Sequence, residues 1–263
     1  MIPLQPKHIA LAPVYLYQGL KLKRTALRLP EAQGERHGRL LLSDAHLNDA
    51  NILSLMLLGD SSAAGVGVES QQEALAGHLL GHLQQTPEIT AQFNQIDWAL
   101  HATSGHTSFD ALRRLYVLPT PQRPVDVMVV LIGVNDTTSN VSVSQWQAQL
   151  HQIIELGKRK FGAKYILFAC LPPMQNMPAI PSPLNKLLGS KSQLMNDKLI
   201  EVCESYQQVY ALPIEFANTG LSDADLFAED GFHPNSQAYS FLALKIAKNI
   251  TKLMVSSGID TPK

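Results

Sequence analysis

Four short clusters in this 263-residue chain hold residue types that can do acyl-transfer chemistry. In order they are Gly59-Asp60-Ser61, Ser104-Gly105-His106-Thr107, Gly133-Val134-Asn135-Asp136 and Asp230-Gly231-Phe232-His233-Pro234. A serine hydroxyl is a weak nucleophile and needs a base within hydrogen-bond reach. His233 is the candidate base, because an imidazole titrates near neutrality. Asp230 lies close enough before it to fold back within one turn of chain, holding one ring nitrogen and leaving the other for Ser61. The tetrahedral intermediate of acyl transfer carries an oxyanion, which needs preorganised donors. The candidate donors are the backbone N–H groups of Ser61 and Gly105 and the side-chain amide of Asn135. Gly105 has no Cβ, so its backbone can approach a substrate closely.

These clusters meet only if the intervening elements bring them to one edge. Residues 52–58 form a short apolar run ended by Gly59, the pattern of a buried strand. Leu75, Leu79, Leu80 and Leu83 recur at helical spacing, with Gln71, Gln72 and Glu73 read on the polar side. Residues 98–103 read as a second strand and 108–116 as a helix. Residues 125–132 are almost uninterrupted Val, Met, Leu and Ile, as in a central parallel strand covered on both faces. An amphipathic helix is expected over 145–160 and a strand over 165–171, stopped by Pro172 and Pro173. A Pro-rich loop over 174–184, a helix around 193–206, a strand over 208–212 and a closing helix over 239–255 complete the pattern. Such alternation implies a parallel sheet with helices on both faces, and ligands then bind at the carboxyl ends of the strands. The first three clusters each follow a strand, and a return loop can carry the fourth to the same edge.

The four clusters, in this order, resemble the motif blocks of the SGNH (GDSL-like) hydrolase superfamily, with Ser61, Gly105, Asn135 and His233 matching the residues that give it its name. The resemblance runs over residues 52–255, and the chain is similar to bacterial esterases and lysophospholipase-like enzymes. It implies a flavodoxin-like three-layer αβα fold with a roughly five-stranded parallel sheet. It also implies a catalytic set of Ser61, Asp230 and His233, an oxyanion hole of Ser61, Gly105 and Asn135, no cofactor, and hydrolysis of a small-molecule acyl ester through an acyl-enzyme. Carbohydrate O-deacetylation or acyl transfer at the same site is the alternative reading. The order Ser, Asp, His also occurs in α/β-hydrolases, but their G-x-S-x-G elbow is absent, as are S-x-x-K, H-E-x-x-H and the P-loop.

The bulk numbers fit this reading. A formal net charge of −1 gives no electrostatic case for a nucleic-acid partner. Cys170 and Cys203 fit neither a disulfide framework nor a metal knuckle and read as reduced, buried thiols. Asp60 and Asp136 read as structural carboxylates that cap turns or orient the site loops. His78 and His82, on a probable helix, have no third ligand nearby and read as solvated. No run approaches the about 20 apolar residues a bilayer span needs. Residues 1–50 lie outside the resemblance and read as an N-terminal extension to a hydrolase domain over 51–263. Within them, residues 9–20 are largely apolar and are followed by Lys21, Lys23, Arg24 and Arg28. A secretory signal has the reverse order, so no cleavable signal is expected and the chain reads as cytoplasmic. The segment is either an arm packed on the domain or a membrane-surface segment with basic flanks, giving a peripheral membrane contact.

Overall fold

In a computed structural model, which describes residues 10–42, 51–139, 141–214 and 223–258, the apolar runs pair into one six-stranded sheet. Its strands are β1 (His37–Leu41), β2 (Ile52–Gly59), β3 (Gln95–Ala102), β4 (Val127–Leu131), β5 (Tyr165–Ala169) and β6 (Val209–Leu212), in the order β1-β3-β2-β4-β5-β6. The helices are α1 (Ala12–Thr25), α2 (Ser61–Ala64), α3 (Leu75–Gln84), α4 (Pro87–Thr90), α5 (Ser108–Val117), α6 (Val134–Thr138), α7 (Val143–Phe161), α8 (Leu184–Glu204) and α9 (Ser236–Gly258).

Side chains alternate across the sheet, and both faces are apolar. Leu53, Leu55 and Leu57 of β2 face one layer, where they meet Leu75, Leu79 and Leu83 of α3, Ile89 of α4 and Tyr239 and Ile246 of α9. Met56 and Leu58 face the other, against Leu112 and Leu115 of α5, Trp146 and Ile153 of α7 and Met195 and Leu199 of α8. Burying each such leucine stabilises the fold by about 1.5–3 kcal/mol. Trp146 is fully buried, and its indole N–H donates to the Met195 carbonyl at 3.1 Å. The layering is the three-layer αβα arrangement of a flavodoxin-like fold.

The expected parallel sheet corresponds to β2 through β6. The correction is β1, a sixth strand that runs antiparallel to β3, pairing His37 with Ala99 through Leu41 with Gln95. It comes from the stretch read as having poor periodicity. As an edge strand it is buried on neither face, and only Gly38 and Leu40 are even half-covered. No alternation of apolar residues therefore marks it. Helix α8 starts nine residues before the expected 193, because Leu184 and Leu188 are held by packing on Met174, Met177 and Ile180 rather than by helical propensity. Gln71 is also not on a polar helix face. It is buried ahead of α3, where its side-chain amide donates to the carbonyls of Ala32 and Ala64 at 3.2 and 3.0 Å.

The chain leaves β2 toward β3 on one side and returns to β4 on the other, so the sheet order reverses around β2. A crevice opens at the carboxyl end of such a switch point, and Gly59 closes β2 there. A Cβ on Gly59 would lie 2.4 Å from the Leu131 carbonyl oxygen and 2.6 Å from the Ala63 Cβ. Backbone cannot yield as a flexible side chain does, so Gly59→Ala should destabilise the protein by about 1–3 kcal/mol in a denaturant melt. An unchanged midpoint would show that the turn into α2 relaxes freely.

Candidate active site

Ser61 is the first residue of α2, immediately beyond the β2 terminus. Asp60 caps that helix, its Oδ1 accepting the Ser62 N–H at 3.0 Å. As the first helical residue, Ser61 has a backbone N–H with no intrahelical acceptor. Its side chain is 7% exposed and its hydroxyl lies 2.9 Å from His233 Nε2. His233 Nδ1 lies 2.6 Å from Asp230 Oδ2. An ionised carboxylate only accepts, so Nδ1 carries the ring proton and Nε2 turns its lone pair to the Ser61 hydroxyl.

The turn holding Asp230 and His233 is built locally. Asp230 Oδ1 accepts the backbone N–H groups of Phe232 and His233, each at 2.9 Å, as an Asx-type turn does. Burial works to raise the Asp230 carboxyl, but the His233 ring and these two N–H groups together outweigh it and hold the carboxyl below its usual value. The turn leads into α9, whose Tyr239 hydroxyl donates to the Val66 carbonyl at 2.8 Å, just beyond α2. That bond ties the end of the chain to the nucleophile's own turn.

Gly105 and Asn135 follow β3 and β4, the two neighbours of β2. The Asn135 amide donates to the His106 carbonyl at 2.9 Å, linking these two positions to each other rather than to the Ser61–His233 pair. A Cβ on Gly105 would meet open space, but its φ of +84° is one that a side chain disfavours. The Gly105 loop is also clamped from outside by Glu31, Arg36 and Arg114. Glu31 accepts the Ser104 N–H at 2.5 Å and pairs with Arg36 at 2.6 Å, while Arg36 also donates to the Ala102 carbonyl at 2.9 Å. Arg114 donates to the Thr103 hydroxyl at 2.7 Å. Sequence reading missed Glu31 and Arg36, because no local spacing connects residues so far from the loop they hold.

Both extra carboxylates are buried. Asp136 accepts the Ser108 N–H and hydroxyl, at 2.9 and 2.5 Å, fastening α5 to α6. Burial pushes the Asp60 carboxyl up to about 7, with Asp136 adding to the rise and the Ser62 N–H opposing it, and Asp60 Oδ2 has no partner. His78 and His82 are half-buried rather than fully solvated. Their Nε2 atoms meet the Ser236 hydroxyl at 3.1 Å and the Ser240 carbonyl at 3.3 Å, so they join α3 to α9. Among the described residues, no three metal-ligating side chains come together. Cys170 and Cys203 are free and buried. Beside His233 lies an apolar cavity, lined by Val134, Leu171, Met177, Phe227 and Phe232 and by Asp60.

Residues 57–241 match the model of the GDSL-like lipase/acylhydrolase family. A GDSL-like esterase of Mycobacterium tuberculosis is 27% identical over 203 residues, an alignment covering 73% of this chain and 62% of the relative. The chain thus spans about three fifths of that curated relative's length. Among solved structures, an acetylxylan esterase from Geobacillus stearothermophilus aligns with a TM-score of 0.54 at 18% identity, covering 75% of this chain and 94% of that one. A lipase/acylhydrolase from Enterococcus faecalis aligns with a TM-score of 0.54 at 21% identity, covering 76% and 96%. At these identities the two structures share the fold.

Asp60 generates a pH prediction. Its carboxyl is raised from 3.8 to about 7, so between those values the folded chain binds more protons than the unfolded one, and stability falls as pH climbs through that window. Asp60→Asn does not titrate there. The melting temperature of wild type relative to D60N should therefore drop, on the order of 5 °C, from about pH 4 to about pH 8. A constant difference across the range would remove Asp60 as a shifted group.

Proposed function

The chain belongs to the GDSL-like lipase/acylhydrolase family, and on that premise we propose that it is a carboxylic ester hydrolase working through a covalent acyl-enzyme on Ser61. The observation that carries the reading is the unbroken hydrogen-bond chain from the Ser61 hydroxyl through His233 to Asp230, at 2.9 and 2.6 Å.

In the proposed reaction, Ser61 Oγ bonds to the ester carbonyl carbon as its proton passes to His233 Nε2. Asp230 holds the ring in the productive tautomer and stabilises the imidazolium. The carbonyl oxygen becomes an oxyanion, met by the Ser61 and Gly105 N–H groups and the Asn135 amide. Collapse breaks the bond to the leaving alcohol, whose oxygen takes the proton from His233. Water then attacks the acyl-enzyme by the same route, His233 removing its proton and returning one to Ser61, and a carboxylic acid departs. The clamp from Glu31, Arg36 and Arg114 acts by fixing the loop that carries Gly105. The substrate is a small-molecule ester, and the hydrophobic walls of the cavity beside His233 favour an apolar acyl group over an acetylated sugar.

Ser61→Ala should lower turnover of p-nitrophenyl butyrate by at least about 10³-fold. Retention of wild-type turnover would reject Ser61 as the nucleophile. Asn135→Ala should cost about 10²–10³ in kcat with a much smaller change in KM. A kcat change below about threefold would take Asn135 out of the oxyanion hole.

A further inference from the structure

Helix α1 has two unlike faces. One is bolted down: Gln18 donates to the Ser182 carbonyl at 2.7 Å and accepts the Leu184 N–H at 3.1 Å, while Tyr15 and Leu22 pack on Met174, Met177 and Ile180. The other is apolar and bare. Leu16, Tyr17 and Leu20 are 65%, 65% and 54% exposed, and no residue of α1 is buried. At 100° per residue these three lie within one strip, with Lys21 and Lys23 to either side of it and Arg24 at its end. The helix carries no acid, and none precedes Glu31 in the sequence.

We propose that this face of α1 docks the protein on an anionic lipid surface. The strip immerses while the lysine stems reach along it and leave their charges among the headgroups, the arrangement of an interfacial helix. No helix among the described residues is long and apolar enough to cross a membrane, so α1 lies on the surface rather than through it. Charge selects the occupant. A second copy of the chain would set like-charged cations against each other across a two-fold axis. An anionic bilayer complements both the cations and the apolar strip.

The placement gives docking a purpose. Met177, against which α1 packs, also lines the apolar cavity beside His233. A chain seated this way would hold that cavity wall beneath α1, one helix from the lipid layer, so that a lipid ester is the substrate at hand. The proposal deepens the esterase reading by naming the physical form of the substrate, but docking does not depend on turnover.

The test is co-sedimentation of the full chain carrying Ser61→Ala, which leaves the vesicles intact. The vesicles are phosphatidylcholine with and without phosphatidylglycerol. The protein should pellet with the anionic vesicles and lose binding as salt rises. Adding Leu16→Glu with Leu20→Glu, or separately Lys21→Glu with Lys23→Glu, should lower the bound fraction about tenfold. Circular dichroism checks that each variant is folded, and the salt dependence of the unaltered face stands without either variant. Failure to bind anionic vesicles, equal binding to pure phosphatidylcholine, or undiminished binding by both folded variants would overturn the proposal. So would a dimer on size exclusion that Leu16→Glu with Leu20→Glu dissolves. Binding needs no turnover, so a failed esterase reading leaves this result standing, and failed docking leaves hydrolysis of soluble esters standing.

Discussion

A serine hydroxyl, an imidazole and a carboxylate act as one unit only while their hydrogen bonds hold, and here the critical contact joins residues 172 positions apart in sequence. Such a long closure costs chain entropy that the bond itself does not repay. The sheet and its helices repay it. α9 packs against β2 through Tyr239, Leu242 and Ile246, and the Tyr239 hydroxyl fastens the helix to Val66, next to the nucleophile's turn. His78 and His82 add two further links between α3 and α9. The Ser61–His233 contact is thus a consequence of core packing on one face of the sheet. Damage to that face reaches the site even where no site residue changes.

The loops around the pair are held by buried polar groups. Asp136 fastens α5 to α6, Asn135 fastens α6 to the Gly105 loop, and Glu31 with Arg36 fastens that loop to the N-terminal segment. These bonds fix the loops that carry the Gly105 N–H and the Asn135 amide, the donors proposed for the oxyanion. Rigid donors of this kind can stabilise a developing oxyanion without reorganising. The exception is Asp60, whose unpartnered Oδ2 sits one residue from the nucleophile in apolar surroundings. Burial there raises the carboxyl to about 7, against the opposing bond from the Ser62 N–H.

What the sequence made legible was local. Ser61, Gly105, Asn135 and the Asp230–His233 pair could be picked out as candidates because each sits in a short cluster beside a strand or helix whose apolar period is strong, and the structure joins Ser61, His233 and Asp230. The strands β2 and β4 were legible for the same reason, since burial on both faces leaves a continuous apolar run. What escaped depended on tertiary contact. β1 is an edge strand with no buried face, the first turns of α8 are held by Met174 and Ile180, and Gln71 is polar yet buried through two backbone carbonyls. Glu31 and Arg36 carry no motif at all, and only the folded chain sets them against the Gly105 loop. The N-terminal stretch was read as an extension packed on the domain; its partners are distant in sequence, so neither β1 nor the packing of α1 on Met174, Met177 and Ile180 could be read in detail.

If His233 activates the Ser61 hydroxyl, only that serine should react readily with a serine-directed electrophile. Reaction with a fluorophosphonate, followed by mass mapping of the labelled peptide in the wild-type chain and in His233→Ala, tests this. One adduct is expected, on Ser61, forming in the wild type and lost in the variant. An adduct on another residue, or equal labelling of Ser61 without the imidazole, would contradict it.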